Sequence, residues 1–168
     1  MMPIWIFYFL LVELLVVAVL DIKTKKIKNA WSILNILLFV LFLFIYPEYY
    51  PFEGKTFLIS GAFLLVGFIL FLLKIMGAGD TKFLFSFFLV IPFYTQDDIL
   101  SRLLIYTAIC AFIFLLFNVT KNIKKLYLSL LTRDTKSLKE CFGSKFAFAP
   151  VIFISWVWYG LEGGYFGF

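Results

Sequence analysis

The sequence predicts an all-α polytopic membrane protein, a bundle of about six transmembrane helices forming one domain over residues 1–168. Three observations carry this expectation. Of the 168 residues, 64% are hydrophobic and 22% aromatic, with a mean hydropathy of +1.04. A water-soluble domain of this size cannot bury that much apolar surface, so the solvent for most of it must be lipid. Apolar stretches near the length of about 20 residues that a bilayer core requires recur along the whole chain. The net charge of +5 sits in the short polar segments between them, where it suits orientation and contact with anionic lipid rather than a nucleic-acid partner.

The candidate spans lie at 3–20, 31–46, 56–74, 81–94, 99–117 and 146–161. The first has no basic region ahead of its apolar stretch and no small-residue cleavage pattern after it, and its positive charges follow it, so it reads as a retained membrane helix and not a signal peptide. Glu13 within it is an intramembrane acid, expected to be protonated or to face the bundle interior in a structural role. The fourth span is short and carries Pro92, which leaves a crossing and a re-entrant segment to be decided by charge. If all six cross, the segments 21–30, 74–82 and 118–145 share one side and hold every Lys and Arg except Lys55 and Arg102. Basic residues concentrate in cytoplasmic loops. Six crossings with both termini outside therefore form the better topology, because a re-entrant fourth segment would place the basic 118–145 segment outside. Within that segment Ile123, Leu126, Tyr127, Leu130 and Leu131 follow helical spacing, which fits either an interfacial amphipathic helix or an extension of the fifth span. The sequon Asn118-Val119-Thr120 falls on the cytoplasmic side, so glycosylation is not expected.

The chain has no histidine and only two cysteines, Cys110 and Cys141, with no CxxC pair. Histidine-based triads, imidazole zinc sites and histidine acid–base chemistry are thereby excluded, and no metal site or cofactor is expected. Ser60, Ser86 and Ser155 lie inside apolar spans without a lysine at similar depth, and small hydroxyl residues are ordinary at helix contacts in lipid.

Two aspartates remain. Asp21 follows the first apolar stretch and precedes the basic run Lys23-Thr24-Lys25-Lys26-Ile27-Lys28; Asp80 lies in Gly77-Ala78-Gly79-Asp80-Thr81-Lys82, between the third and fourth spans. Singly, Asp21 has the place of a solvated helix end and Asp80 that of an N-cap. Together, at equivalent depth, they suggest a catalytic pair. Two close carboxyls share a proton, so one can take a proton from an attacking water while the other donates to the carbonyl and then to the leaving amine. Gly77 and Gly79 permit a sharp helix start or close backbone approach beside Asp80.

The pattern Gly77-Ala78-Gly79-Asp80 resembles the GxGD signature of intramembrane aspartyl proteases, and Asp21 with the following segment through Asn29 resembles the first motif of type IV prepilin peptidases. The segment Lys145-Phe146-Ala147-Phe148-Ala149-Pro150 is similar to that family's basic residue followed by Pro-Phe-Ala-Pro at the start of the last helix. Lys28 and Ala147 stand where the family usually has proline. The resemblance spans essentially the whole chain. It implies Asp21 and Asp80 as catalytic residues supported by Gly77, Gly79, Lys82, Asn29 and Pro150. It further implies an integral protein of the bacterial cytoplasmic membrane whose active site faces the cytoplasm. There it would cut the basic leader from prepilin-like substrates of the Flp or Tad pilus type. Because the chain opens directly on its first span and lacks CxxC, it resembles the short, peptidase-only form without N-methyltransferase activity. A non-enzymatic transporter or assembly subunit, whose paired aspartates carry protons or ions, is the alternative from another class.

Overall fold

The computed structural model describes residues 2–73, 76–123 and 148–166. Among them every element is helical. The helices are α1 (Ile4–Thr24), α2 (Asn29–Ile45), α3 (Leu58–Leu72) after a 3-10 turn at Gly54–Phe57, α4 (Ala78–Val90), α5 (Phe93–Lys121) and α6 (Ala149–Glu162). Each of the six expected spans coincides with one helix. From residue 124 onward the 118–145 segment, with its amphipathic pattern, lies outside the described residues, as does Ala147.

The helices differ from the expected spans at several boundaries, α4 lying three to four residues earlier than 81–94, and two of the differences bear on the site and the core. α1 continues past Leu20 to Thr24, which puts Asp21 in its last turn. The helix stops where Lys25 adopts a left-handed conformation (φ 51°) while its N–H still bonds the Asp21 carbonyl at 2.7 Å. α5 begins at Phe93 rather than 99, because the polar run Thr95-Gln96-Asp97 joins the helix instead of forming a loop. Pro92 separates α4 from α5, since it cannot donate to continue the ladder. Gln96, fully buried, answers that break: its Nε2 donates to the carbonyls of Phe88 at 2.9 Å and Ile91 at 3.1 Å. In a lipid solvent, backbone groups freed by a helix break must find partners within the protein.

Contacts at the two ends fix the direction of each helix. At one end, the Trp5 ring meets Phe42 and Tyr46, the Tyr50 hydroxyl donates to the Val90 carbonyl at 2.6 Å, and Arg102 pairs with Glu162. Burial pushes the Tyr50 phenol above its ordinary range, which keeps it a donor. Met2 and Tyr165 also bond here, N–H to hydroxyl at 3.0 Å. At the opposite end, the last turn of α1 meets the start of α6 through Asp21 and Ala149, and the loop after α1 meets the start of α4 through Ile27 and Gly79. α4 therefore runs from one end to the other, as a crossing segment does, although at 13 residues it is only about 20 Å long. Three helical stretches, Ile4–Thr24, Gly54–Leu72 and Phe93–Lys121, are long and apolar enough to cross a bilayer by themselves.

The core is aromatic. Phe7 stacks on Trp156 and Tyr165, Trp156 meets Phe87 edge-on, and the Trp156 indole donates to the Phe7 carbonyl. Gly160 is the position that admits the Phe7 ring, and Gly67 on α3 admits Thr81 of α4, since a Cβ at either would overlap the neighbour. Such small residues let helices approach closely in lipid. The outward faces are apolar as well, with Leu65 70% and Phe44 82% exposed, as a lipid-facing surface requires. Ser86 and Ser155 are buried and donate within their own helices to Phe83 and Ile152, in keeping with packing roles.

Gln96→Leu keeps side-chain volume but leaves the Phe88 and Ile91 carbonyls without their donor. It should destabilise the protein by about 1–3 kcal/mol, measured by denaturant titration in mixed micelles. An unchanged midpoint would mean that the break at Pro92 is satisfied some other way.

Candidate active site

The end of the bundle that carries Asp21 also carries Asp80. Asp21 projects from the last turn of α1 and is only 3% exposed. Its Oδ2 accepts the N–H of Ala149 at 3.1 Å. Ala149 opens α6, so this N–H is one of the four that a helix N-terminus leaves without an internal partner, and the helix dipole there favours an anion. Pro150, at the second helical position, suits such a start because it gives up a donor the helix does not use. Among the expected supporting residues, Pro150 thus shapes the element that holds Asp21.

Asp80 is the third residue of α4, not its N-cap. Gly77 holds the cap position, and the Gly77 N–H donates to Asp80 Oδ2 at 3.1 Å. The two glycines have distinct roles. A Cβ on Gly77 would lie 2.9 Å from Asp80 Oδ2, and a Cβ on Gly79 would lie 2.7 Å from the Ile27 carbonyl oxygen. Gly77 lets the carboxylate fold back onto the main chain. Gly79 lets the loop after Asp21 pack directly against the turn that presents Asp80.

That loop is short: Lys25 to Lys28 joins α1 to α2, which begins at Asn29. Lys28 has φ −73° and ψ 140°, within the range to which a proline ring is confined. The lysine at this position therefore reproduces the backbone that proline would impose. Asn29 is exposed at the start of α2. Lys82, also exposed, lines a groove of about 460 Å³ together with Leu64, Leu65, Phe68, Phe71, Ala78 and Thr81. This apolar trough runs along α3 and α4 beside the turn that bears Asp80.

Ile27 and Ala149 are the contributors that side-chain chemistry does not reveal, since both act through main-chain atoms. The small residues at 77 and 79 are the only trace of this packing in the sequence. Among the described residues, no three His, Cys, Asp or Glu side chains gather as metal ligands would. The arrangement is that of two carboxyls at one end of a helical bundle, each accepting a main-chain N–H, beside an apolar groove. It is equipped for proton transfer to and from a reacting group.

Gly79→Ala tests the packing between the two aspartate-bearing loops. The obstacle is a backbone carbonyl, which cannot swing aside as a side-chain tip would, so overpacking should cost about 1–3 kcal/mol. Gly61→Ala meets open space and serves as the reference. Equal unfolding midpoints for the two variants would contradict the close approach at Ile27.

Comparison with known proteins bears on the same segment. The comparison with curated proteins and that with solved structures each returned no significant match. The model of the type IV leader peptidase family matches residues 8–120, which include both aspartates, both glycines and the loop that joins them. That match covers about two thirds of the sequence, and the chain belongs to the type IV leader peptidase family.

Proposed function

We propose that the protein is an intramembrane aspartyl endopeptidase. It removes the basic leader of prepilin-like proteins at the cytoplasmic face of a bacterial plasma membrane, in the service of pilus assembly. The observation that carries the reading is the packing of the Asp21 loop against the Asp80 turn within the segment that matches the family. In the reaction, one aspartate takes a proton from water as its oxygen attacks the scissile carbonyl carbon. The other supports the carbonyl oxygen and then protonates the leaving nitrogen as the C–N bond breaks, yielding a carboxylate and an amine. No covalent intermediate or metal is needed.

The substrate side of the reading rests on shape. A prepilin-like protein carries an apolar helix just after its leader, and the groove between α3 and α4 offers an apolar trough beside the Asp80 turn. A helix seated there would bring its leader junction to the end of the bundle where both aspartates lie. The loop after α1 is itself basic, so charge attraction does not draw in a basic leader, and backbone and helix contacts carry recognition. The position of the aspartates at one end of the bundle, rather than halfway along it, disfavours the alternative in which they carry ions across the membrane. The absence of a CxxC pair from the sequence favours a peptidase without methyltransferase activity.

Asp21→Asn and Asp80→Asn should each lower leader cleavage by at least about a hundredfold. An amide retains the size of the carboxyl but can neither take the water proton nor share one. The two losses should be similar, because groups acting as a unit are not additive. Asp97→Asn, exposed at the start of α5, should cleave normally. The measurement is the mature amino terminus and the processed fraction of a co-expressed prepilin at matched enzyme levels. Substantial processing by either variant, in a host without another such peptidase, would remove the pair from the mechanism.

Sidedness is testable separately. With Cys110 and Cys141 replaced, Lys26→Cys should react with a membrane-impermeant thiol reagent only from the cytoplasm and Tyr94→Cys only from outside. Labelling of both from the same side would overturn this orientation.

A further inference from the structure

Two turns inward from Asp21, on the same face of α1, lies Glu13, about 12 Å away along the helix. It is 4% exposed. Its neighbour in the interior is Asn35 of α2, fully buried, and Ser32, one turn earlier on the same face of α2, is 6% exposed. Beyond the approach of the Asn35 amide to the Glu13 carboxyl, neither carboxylate oxygen of Glu13, neither polar atom of the Asn35 amide, nor the Ser32 hydroxyl oxygen has a well-formed hydrogen bond within the protein. Five unpartnered hydrogen-bonding atoms thus belong to three buried side chains of α1 and α2, two of which, Glu13 and Asn35, meet; elsewhere among the described residues such buried atoms occur singly, at Ser60, Gln96 and Arg102. Buried polar atoms are rarely left so.

We propose that Glu13, Ser32 and Asn35 form an internal water-binding site that joins α1 to α2. The chemistry of the set selects the guest. A small cation could be held by the carboxylate, the amide oxygen and the hydroxyl, but it offers nothing to the Asn35 Nδ2 donor. Water both donates and accepts, so it can serve the amide nitrogen as well as the oxygens, and a buried water needs two to four such partners. Toward the Asp21 end, between the cluster and the loop after α1, lies a cleft of about 80 Å³ lined by Val17, Leu20, Thr24, Lys26, Lys28 and Trp31. Val17 is one turn from Glu13, and Trp31 adjoins Ser32. The cleft has room for more than one water at about 30 Å³ each. The site does not depend on the proposed peptidase activity, although a hydrolase working within a membrane would draw on water held near its aspartates.

The test is hydroxyl-radical footprinting of the full chain in lipid nanodiscs, where radiolysis of bound water modifies the side chains beside it. Leu14 and Phe39 flank the cluster, are 0% and 4% exposed respectively, and should be modified several-fold faster than Phe7, equally buried but further along α1, after correction for intrinsic reactivity. Asn35→Leu and Ser32→Ala should lower that rate toward the Phe7 level, while Glu13→Gln, which keeps hydrogen-bonding groups, should retain it. Modification of Leu14 and Phe39 at the Phe7 rate in the unaltered protein overturns the proposal, and that comparison stands even where a variant does not fold. Modification that is strong in choline chloride and abolished by sodium chloride also overturns it, and assigns the cluster to a cation.

Discussion

The bond from the Ala149 N–H to Asp21 closes the bundle. It joins residues 128 positions apart and does so at the end of the structure that carries both aspartates. Two constraints are met together. A carboxyl buried at the rim of an apolar bundle requires donors, and the start of α6 has amide groups that its own helix cannot satisfy. Once α1 and α6 are fixed this way, Phe7 and Trp156 stack further along the same pair of helices, and Tyr165 reaches back to Met2 at the far end. The aromatic core follows from this pairing.

α4 has a different anchor. It packs against α2 and α3, with Gly67 admitting Thr81 and Gly79 admitting the Ile27 carbonyl. The two halves of the candidate site therefore belong to different helix pairs and meet through a loop of four residues. The loop is stiffened at Lys28 by a proline-like backbone and turned at Lys25 by a left-handed one. Its conformation sets how the Asp80 turn sits relative to the end of α1, so substitutions at Lys25 or Lys28 act on alignment without touching a carboxyl.

Much of this was legible in the sequence, because lipid imposes a strong grammar: apolar runs of fixed length, small residues at contacts, and charges at the ends. All six spans coincide with helices, and the two aspartates lie at one end, as the distribution of lysines requires. What composition could not show was main-chain chemistry. Nothing in the side chain of Ala149 or Ile27 marks them as partners of the aspartate-bearing segments. The start of α5 was misplaced because Gln96 looks like a loop residue, whereas in the bundle its amide repairs the helix break at Pro92. Asp80 was readable as an N-cap, and only the fold of the turn shows that Gly77 takes that position while Asp80 bonds back to it. Glu13 was correctly expected to face inward, but its company with Asn35 and Ser32 depends on how α1 and α2 rotate about their axes, which periodicity leaves open.

The long sequence separation of the Asp21–Ala149 bond has a consequence for biogenesis. Asp21 leaves the ribosome ahead of Ala149, which follows 128 residues later, an interval on the order of ten seconds at ordinary rates of synthesis. Throughout that time the carboxyl of Asp21 sits at the membrane rim without the donor that will hold it, while α2 to α4 can already assemble around the Ile27–Gly79 contact. A nascent chain stalled before α6 would thus display both aspartates in a bundle whose α1 is still free to turn, and the arrival of α6 is the step that fixes the orientation of Asp21.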